Sequence, residues 1–234
     1  NFTNVADPKK WNISDDPDYF FYCANETVHG LELRNPIESD SPVICDMSSM
    51  IASRPIDINK YDLVFAGAQK NLGIAGLTIL IIKNKLLSDC NKELLPMFDY
   101  SSHAEEASML NTSPVFAWYV SGLIFDWITE QGGVEMMGKV NMEKSNLLYD
   151  YIDQSNFYSN PVSKPYRSWM NIPFILARDD LENNFIQCAE DEGLFNLKGH
   201  RTVGGMRASV YNAMPIEGIK KLIAFMDEFA KLHE

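Results

Sequence analysis

Lys70 stands in the run Ala66-Gly67-Ala68-Gln69-Lys70-Asn71-Leu72-Gly73, among several residues with little or no side chain, directly after the apolar segment Tyr61-Asp62-Leu63-Val64-Phe65-Ala66. A lysine at the mouth of a buried strand loses hydration, which disfavours its ammonium form. The neutral amine is a nucleophile that condenses with a carbonyl to give a Schiff base, and small neighbours leave room for a bound molecule. The competing reading is a lysine whose stem lies along the sheet edge while its head reaches water. A phosphate-cradling nucleotide loop is excluded: it needs glycine just before the lysine and Ser or Thr just after, where this chain has Gln69 and Asn71. The dinucleotide glycine fingerprint is absent as well.

Schiff-base chemistry asks for partners. Such a lysine generally works with an electron-sink cofactor, and a pyridine ring needs a carboxylate for its ring nitrogen, donors for its phosphate and a hydroxyl near its phenolic oxygen. Asp46 closes the segment Pro42-Val43-Ile44-Cys45-Asp46 and precedes Met47-Ser48-Ser49. The carboxyl end of a parallel strand is where open α/β sheets bind ligands; taken alone, Asp46 also reads as a strand-end cap. The formal net charge of −12 excludes broad nucleic-acid binding, which relies on clustered Lys and Arg, so any anionic ligand needs a local basic pocket. His200, Arg201 and Arg207 supply one within a single stretch. Arginine forks match carboxylate and phosphate bidentately; the alternative is a surface turn with solvated arginines.

Those residues need elements to hold them. Residues 19–24, 42–46, 61–66 and 76–82 read as strands, being short apolar runs separated by turn-rich segments such as Arg34-Asn35-Pro36. Near-continuous runs suit strands covered on both faces, as in an α/β sheet, which sets Lys70 in the turn between two core strands. Residues 99–114 are rich in Ser, Glu and Asn without periodicity and read as a long, functional loop. Pro114 opens a helix to about Glu130 that carries Val115, Trp118, Tyr119, Leu123 and Trp127 at helical spacing, ended by Gln131-Gly132-Gly133. A second helix runs from Val134 to about Ile152 with Met137, Val140, Leu147, Leu148 and Tyr151 as its apolar stripe. Both stripes read as core packing. Strand 170–177, helix 180–192, short strand 194–198, strand 206–212 and helix 215–232 then follow, a smaller α+β unit after the α/β unit. The boundary is expected near Gln131 to Gly133, dividing the chain into a large domain over 1–132 and a small one over 133–234.

With 234 residues, 46% of them hydrophobic, the chain can bury a real core, and no apolar run reaches the length of a membrane span. No basic-then-apolar leader is present at the start, and a soluble, cytoplasmic protein is expected. Cys23, Cys45, Cys90 and Cys188 lack paired spacing and read as reduced thiols, Cys23 and Cys45 inside core strands. His29, His103, His200 and His233 show no i, i+4 pairing, so no metal site is expected.

Five segments carry a specific likeness: Tyr22-Cys23-Ala24-Asn25-Glu26-Thr27-Val28-His29-Gly30, Asp46-Met47-Ser48-Ser49, Phe65-Ala66-Gly67-Ala68-Gln69-Lys70-Asn71, Asn111-Thr112-Ser113-Pro114 and the run from Gly199 through Ser209. In order and spacing the chain resembles the phosphoserine aminotransferase family from about Tyr19 to its C-terminus. The resemblance implies a fold-type I α/β transferase dependent on pyridoxal 5'-phosphate, here a partial large α/β domain plus a smaller C-terminal α+β domain, working as a homodimer. It makes Lys70 the lysine that binds the cofactor covalently and moves the proton at the amino acid's α carbon. Asp46 would pair with the pyridinium nitrogen, Thr27 contact the ring region and Gln69 the phosphate, while Asn111 and Thr112 reach the phosphate of the neighbouring subunit's cofactor. Arg207 would hold the α-carboxylate, with His200 and Arg201 facing the substrate's phosphate or glutamate's distal carboxylate.

The implied activity is reversible amino transfer between L-glutamate and 3-phosphohydroxypyruvate, giving O-phospho-L-serine and 2-oxoglutarate in serine biosynthesis. Alternatives are another transaminase of the same fold, or a catalytically incompetent dimerising fragment of it. The chain begins without methionine, and the family's chains begin upstream with a glycine-bearing phosphate turn, a ring-stacking aromatic and a further substrate arginine; an upstream segment is therefore expected.

Overall fold

The computed structural model describes residues 2–88 and 94–233. Its strands and helices are, in chain order, β1 (Phe20–Cys23), β2 (Asn25–Glu26), β3 (Leu31–Glu32), β4 (Val43–Asp46), β5 (Leu63–Gly67), β6 (Thr78–Ile82), α1 (Asn84–Ser88), α2 (Tyr100–Glu105), α3 (Val115–Glu130), α4 (Gly133–Gln154), β7 (Tyr158–Ser159), β8 (Asn171–Leu176), α5 (Glu182–Asp191), β9 (Met206–Ser209) and α6 (Ile216–His233). The first sheet is four-stranded in the order β1-β4-β5-β6. β1, β4 and β5 run parallel, with Cys23 beside Asp46 and Asp46 beside Phe65, so their carboxyl ends share one edge. β6 returns antiparallel to β5.

Strand alternation decides what this sheet covers. Tyr22, Cys45 and Val64 lie in register on one face and are buried against Met47, Met50, Ile51 and Leu72. Phe21 and Ile44 on the opposite face are exposed or half-buried, and the half-buried Phe65 stacks on Phe21 at 6.3 Å. Among the described residues the cover is uneven: one face is packed, while the other buries Leu63 and leaves Phe21, Ile44 and Phe65 exposed or half-buried. Apolar runs in the sequence mark both arrangements equally, because β-branched and aromatic residues suit a half-covered pleat too.

A second core gathers Leu148, Tyr149 and Ile152 of α4, Ile172, Phe174 and Leu176 of β8, Phe185 of α5, and Ile219, Met226 and Phe229 of α6. β7, β8 and β9 form its antiparallel sheet. Gly30, at φ +71°, turns the chain between β2 and β3 against β8; a Cβ there would lie 2.6 Å from the Asn171 carbonyl oxygen. This close approach seats the β2–β3 hairpin against the second sheet.

Three element expectations are corrected. Residues 99–114 are not loop throughout: Asp99 accepts from the Ser101 backbone N–H and caps α2, which is too short to show periodicity. Residues 194–198 form no strand; Asn196 stands at φ +63°, and Lys198 makes an isolated bridge to Met206. On α3 the stripe of Val115, Trp118, Tyr119 and Leu123 is exposed, while Ala117, Ser121 and Ile128 are buried. Small residues let α3 approach closely: a Cβ on Gly73 would lie 2.7 Å from the Ser121 hydroxyl oxygen. The hairpin β2–β3 and strand β7 were not anticipated, being two residues per strand.

Among the described residues no helix is long and apolar enough to cross a membrane. Cys23, Cys45 and Cys188 are free thiols; Cys90 lies outside the described residues.

Candidate active site

Asp46 ends β4 and Gly67 ends β5, so both chains turn at the shared carboxyl edge. Asp46 Oδ1 accepts the Ser48 backbone N–H at 2.8 Å, and the Ser48 hydroxyl accepts from the Gly67 N–H at 3.1 Å, which ties the two strand exits together. Beyond Gly67 the turn is fixed by Asn71, a buried side chain that donates to the Ile51 carbonyl at 3.1 Å and accepts from the Asn212 N–H at 3.0 Å. Lys70, between the exposed Gln69 and the buried Asn71, is half-buried and projects from an anchored turn.

Lys70 Nζ donates to the Thr27 hydroxyl at 2.7 Å. Thr27 lies in the β2–β3 turn, where the Glu26 carboxylate accepts from the His29 backbone N–H at 2.7 Å. Burial lowers the Lys70 pKa, opposed by the Asp46 and Glu26 carboxylates and reinforced by the Arg207 guanidinium. A lysine so placed keeps a larger share of free amine near neutrality than a solvated one.

Arg207, on β9, reaches the same turn through Nη1 to the Thr27 carbonyl at 3.4 Å. Its Nε is buried without a hydrogen-bond partner. A buried donor left unpaired carries a desolvation cost that an arriving anion removes. Beneath these groups runs a polar chain: Asn25 donates to the Ser49 hydroxyl at 2.8 Å and to the Asn171 side-chain oxygen at 3.0 Å, and Asn171 donates to the Tyr211 hydroxyl at 3.1 Å. Burial raises the Tyr211 phenol pKa.

Thr27, Asp46, Lys70 and Arg207 are thus brought together from the first sheet, the hairpin and the second sheet. Asn111 and Thr112 are exposed between α2 and α3, with Asn111 donating to the Thr112 carbonyl at 3.1 Å. His200 and Arg201 are exposed too, His200 Nδ1 lying 2.8 Å from the Thr202 hydroxyl. These four sit outside the cluster around Lys70. Asn25, Asn171 and Tyr211 were missed as supports. Asn25 lies inside the quoted motif, but its side-chain bond to Asn171 spans 146 positions, which no local pattern reveals.

Chemically the cluster offers an amine of lowered basicity, a carboxylate at a strand end, a hydroxyl and an arginine with a spare donor. Among the described residues no group of three or more His, Cys, Asp or Glu could hold a metal ion.

The family model described as aminotransferase class-V matches residues 3–222. The phosphoserine aminotransferase of Acinetobacter baumannii (strain ACICU) is 51% identical over 227 residues, covering 97% of this chain and 63% of that protein. The solved phosphoserine aminotransferase from Bacillus circulans subsp. alkalophilus superposes with a TM-score of 0.96 at 41% identity, covering 100% of this chain and 65% of that one. The PLP-bound phosphoserine aminotransferase from Trichomonas vaginalis gives a TM-score of 0.92 at 38% identity, with 97% and 65% covered. The chain therefore spans a little under two thirds of the relatives it matches.

Proposed function

The chain belongs to the class-V aminotransferase family, and on that premise we propose that it serves a phosphoserine aminotransferase: amino transfer between L-glutamate and 3-phosphohydroxypyruvate, giving 2-oxoglutarate and O-phospho-L-serine, in the serine biosynthesis of the cytoplasm. One observation carries the reading. Lys70, its basicity lowered by burial, holds Nζ 2.7 Å from Thr27 on the sheet edge that also presents Asp46.

The residues fit pyridoxal 5'-phosphate as cofactor. Its carbonyl calls for a free amine, its ring nitrogen for a carboxylate and the substrate's own anionic group for a donor, and Lys70, Asp46 and the unpaired Arg207 Nε answer those needs. When bound, the cofactor supplies an electron sink for the charge left on the substrate's α carbon. Lys70 would hold it covalently and, once the substrate's amine has displaced that bond, Nζ would carry the proton from the substrate's α carbon to the cofactor's C4′ carbon, a role that suits an amine of lowered basicity. Asp46 keeps a proton on the ring nitrogen, and Thr27 orients Nζ. Gln69 holds the cofactor's phosphate. Arg207 clamps the substrate α-carboxylate, while His200 and Arg201 meet its phosphate or the distal carboxylate of glutamate.

Asn111 and Thr112 complete the site of a partner subunit, so the working unit is a homodimer. We divide the chain into a cofactor domain over 1–132 and a small domain over 133–234; the two buried clusters, one on each side of that line, support the division. The test is Lys70→Ala. The wild-type protein should acquire visible absorbance with pyridoxal phosphate and transfer amino groups from glutamate, and the variant should do neither. A variant with full turnover would overturn the assignment.

A further inference from the structure

Asp46 opens the turn that leads away from β4, and that turn ends in three successive residues, Ile51, Ala52 and Ser53. Each of their backbone carbonyls accepts from a different asparagine: Ile51 from Asn71 at 3.1 Å, Ala52 from Asn212 at 2.9 Å and Ser53 from Asn141 at 2.9 Å. Asn71 follows Lys70 in the turn beyond β5, Asn141 lies in α4, and Asn212 lies in the segment after β9. The three are also joined to one another. Asn141 donates to the Asn212 side-chain oxygen at 2.8 Å, and the Asn212 backbone N–H donates to the Asn71 side-chain oxygen at 3.0 Å. All three side chains are buried.

Burying an amide is costly unless its groups are paired, and apolar side chains would fill the same space without that cost. What the amides add is orientation, because each bond fixes a donor against one chosen carbonyl. Asn141 commits both of its amide hydrogens in this way, one to each neighbouring element. Ala52 stands at φ +57°, a left-handed conformation that a residue with a side chain keeps only where its surroundings hold it. Three parts of the site thus meet at one knot: the turn that starts at Asp46, the turn that carries Lys70, and the chain that continues from Arg207 on β9. Reacting groups lose rate steeply when displaced by about an ångström, so a rigid knot here bears on chemistry.

We propose that Asn71, Asn141 and Asn212 form a positioning unit for Lys70, which registers its turn against the turn that begins at Asp46 and fixes both to the segment after β9. The proposal rests on the reading of Lys70 as the reactive amine. Asn141 and Asn212 act through Asn71, the neighbour of Lys70. Without either side chain the Lys70 turn loosens, Nζ gains water and the amine holds its proton more tightly. Asp46, Glu26 and Arg207 are the charges facing Lys70, and Cys23 is an uncharged thiol because burial pushes it up to about 11. Changing Asn141 or Asn212 leaves all four in the chain.

The experiment is reductive methylation of Lys70 with formaldehyde and cyanoborohydride in the cofactor-free protein, followed by mass spectrometry across pH. Asn141→Ala and Asn212→Ala should each move the midpoint of the Lys70 profile to higher pH, leaving about three- to tenfold less free amine near neutrality. The double variant should move it no further than the larger single change, because the two side chains share a bond. Met226→Ala is the control: it opens a cavity in the second core and breaks no bond of the three asparagines. It should lower stability in urea yet leave the Lys70 profile where wild type has it. A profile of either asparagine variant that coincides with wild type, or a Met226→Ala profile that moves as far, overturns the proposal. Where alanine at either position does not fold, serine takes its place under the same criterion. The underlying reading fails separately, through a Lys70→Ala protein that still takes up the cofactor and turns over.

Discussion

Arg207 carries a buried donor that no group of the described residues satisfies. Its Nη1 makes a long contact of 3.4 Å to the Thr27 carbonyl, and its Nε is buried without a partner, an arrangement that is costly until an anion arrives. Replacing Arg207 by Ala should therefore weaken glutamate about ten- to a hundredfold in KM, the loss expected from one charge-assisted fork. Arg207→Lys should recover little, because an ammonium lacks the second parallel donor. Steady-state kinetics against glutamate provide the check, and an unchanged KM would count against the pocket. The places of Lys70 and Asp46 were legible in the sequence because each closes or follows an apolar run, where position along the chain already implies position on a sheet; Arg207 was legible only as one of a basic stretch with His200 and Arg201, which the structure leaves exposed away from it. Tyr211, Asn171 and Asn25 were not legible. Polar residues in strands and turns look alike until tertiary contacts show which ones are buried together.

At the scale of elements, the sequence predicted the parallel strands to within a residue or two, and it overextended β9 and misplaced the covered face of α3. The strand ends followed from turn chemistry at Asp46 and Gly67. The α3 face did not, because an apolar helix surface can meet a core or stand exposed, and only packing distinguishes the two. Pairing between elements was also hidden. Arg167, buried ahead of β8, forks onto Asp153 at the end of α4 at 2.9 and 2.7 Å, while Lys164 reaches the same carboxylate at 2.8 Å. Hydrogen bonds from Arg167 lead in holding the Asp153 carboxyl at about 2, below its ordinary value of 3.8. The folded pKa lies under the unfolded one, so this contribution to stability is complete above about pH 4 and is lost as pH falls from there toward 2. Asp153→Asn should cost about 1–3 kcal/mol at pH 7, since Arg167 stays buried without its counter-charge. The variant's deficit should shrink at pH 2, where wild type has lost most of the same stabilisation. Urea unfolding at the two pH values measures this, and an equal deficit at both would exclude the ion pair as its source.

For the whole molecule, the exposed apolar surface is the feature that asks for a partner. Val115, Phe116, Tyr119 and Leu123 of α3 are 66%, 70%, 63% and 49% exposed, and Leu95, Met97, Phe98 and Met109 on the preceding segment are exposed as well. Apolar side chains exposed in this number along one stretch are what a covering partner would bury. Asn111 and Thr112 lie on the same stretch, outside the cluster around Lys70. A partner seated on this surface would receive both of them. If each site combines Lys70 of one subunit with Asn111 and Thr112 of the other, two inactive variants can repair one another. Lys70→Ala subunits and Asn111→Ala/Thr112→Ala subunits should each be nearly inactive alone. Unfolded together in equal amounts and refolded, half of the dimers formed at random are hybrids, and each hybrid holds one site with every residue intact. Activity should then return to about a quarter of the wild-type level. Recovery should be absent when the two variants are mixed without subunit exchange. If the refolded mixture stays as inactive as its parents while sedimentation shows hybrids present, the shared site is wrong and Asn111 and Thr112 must act within their own subunit or not at all.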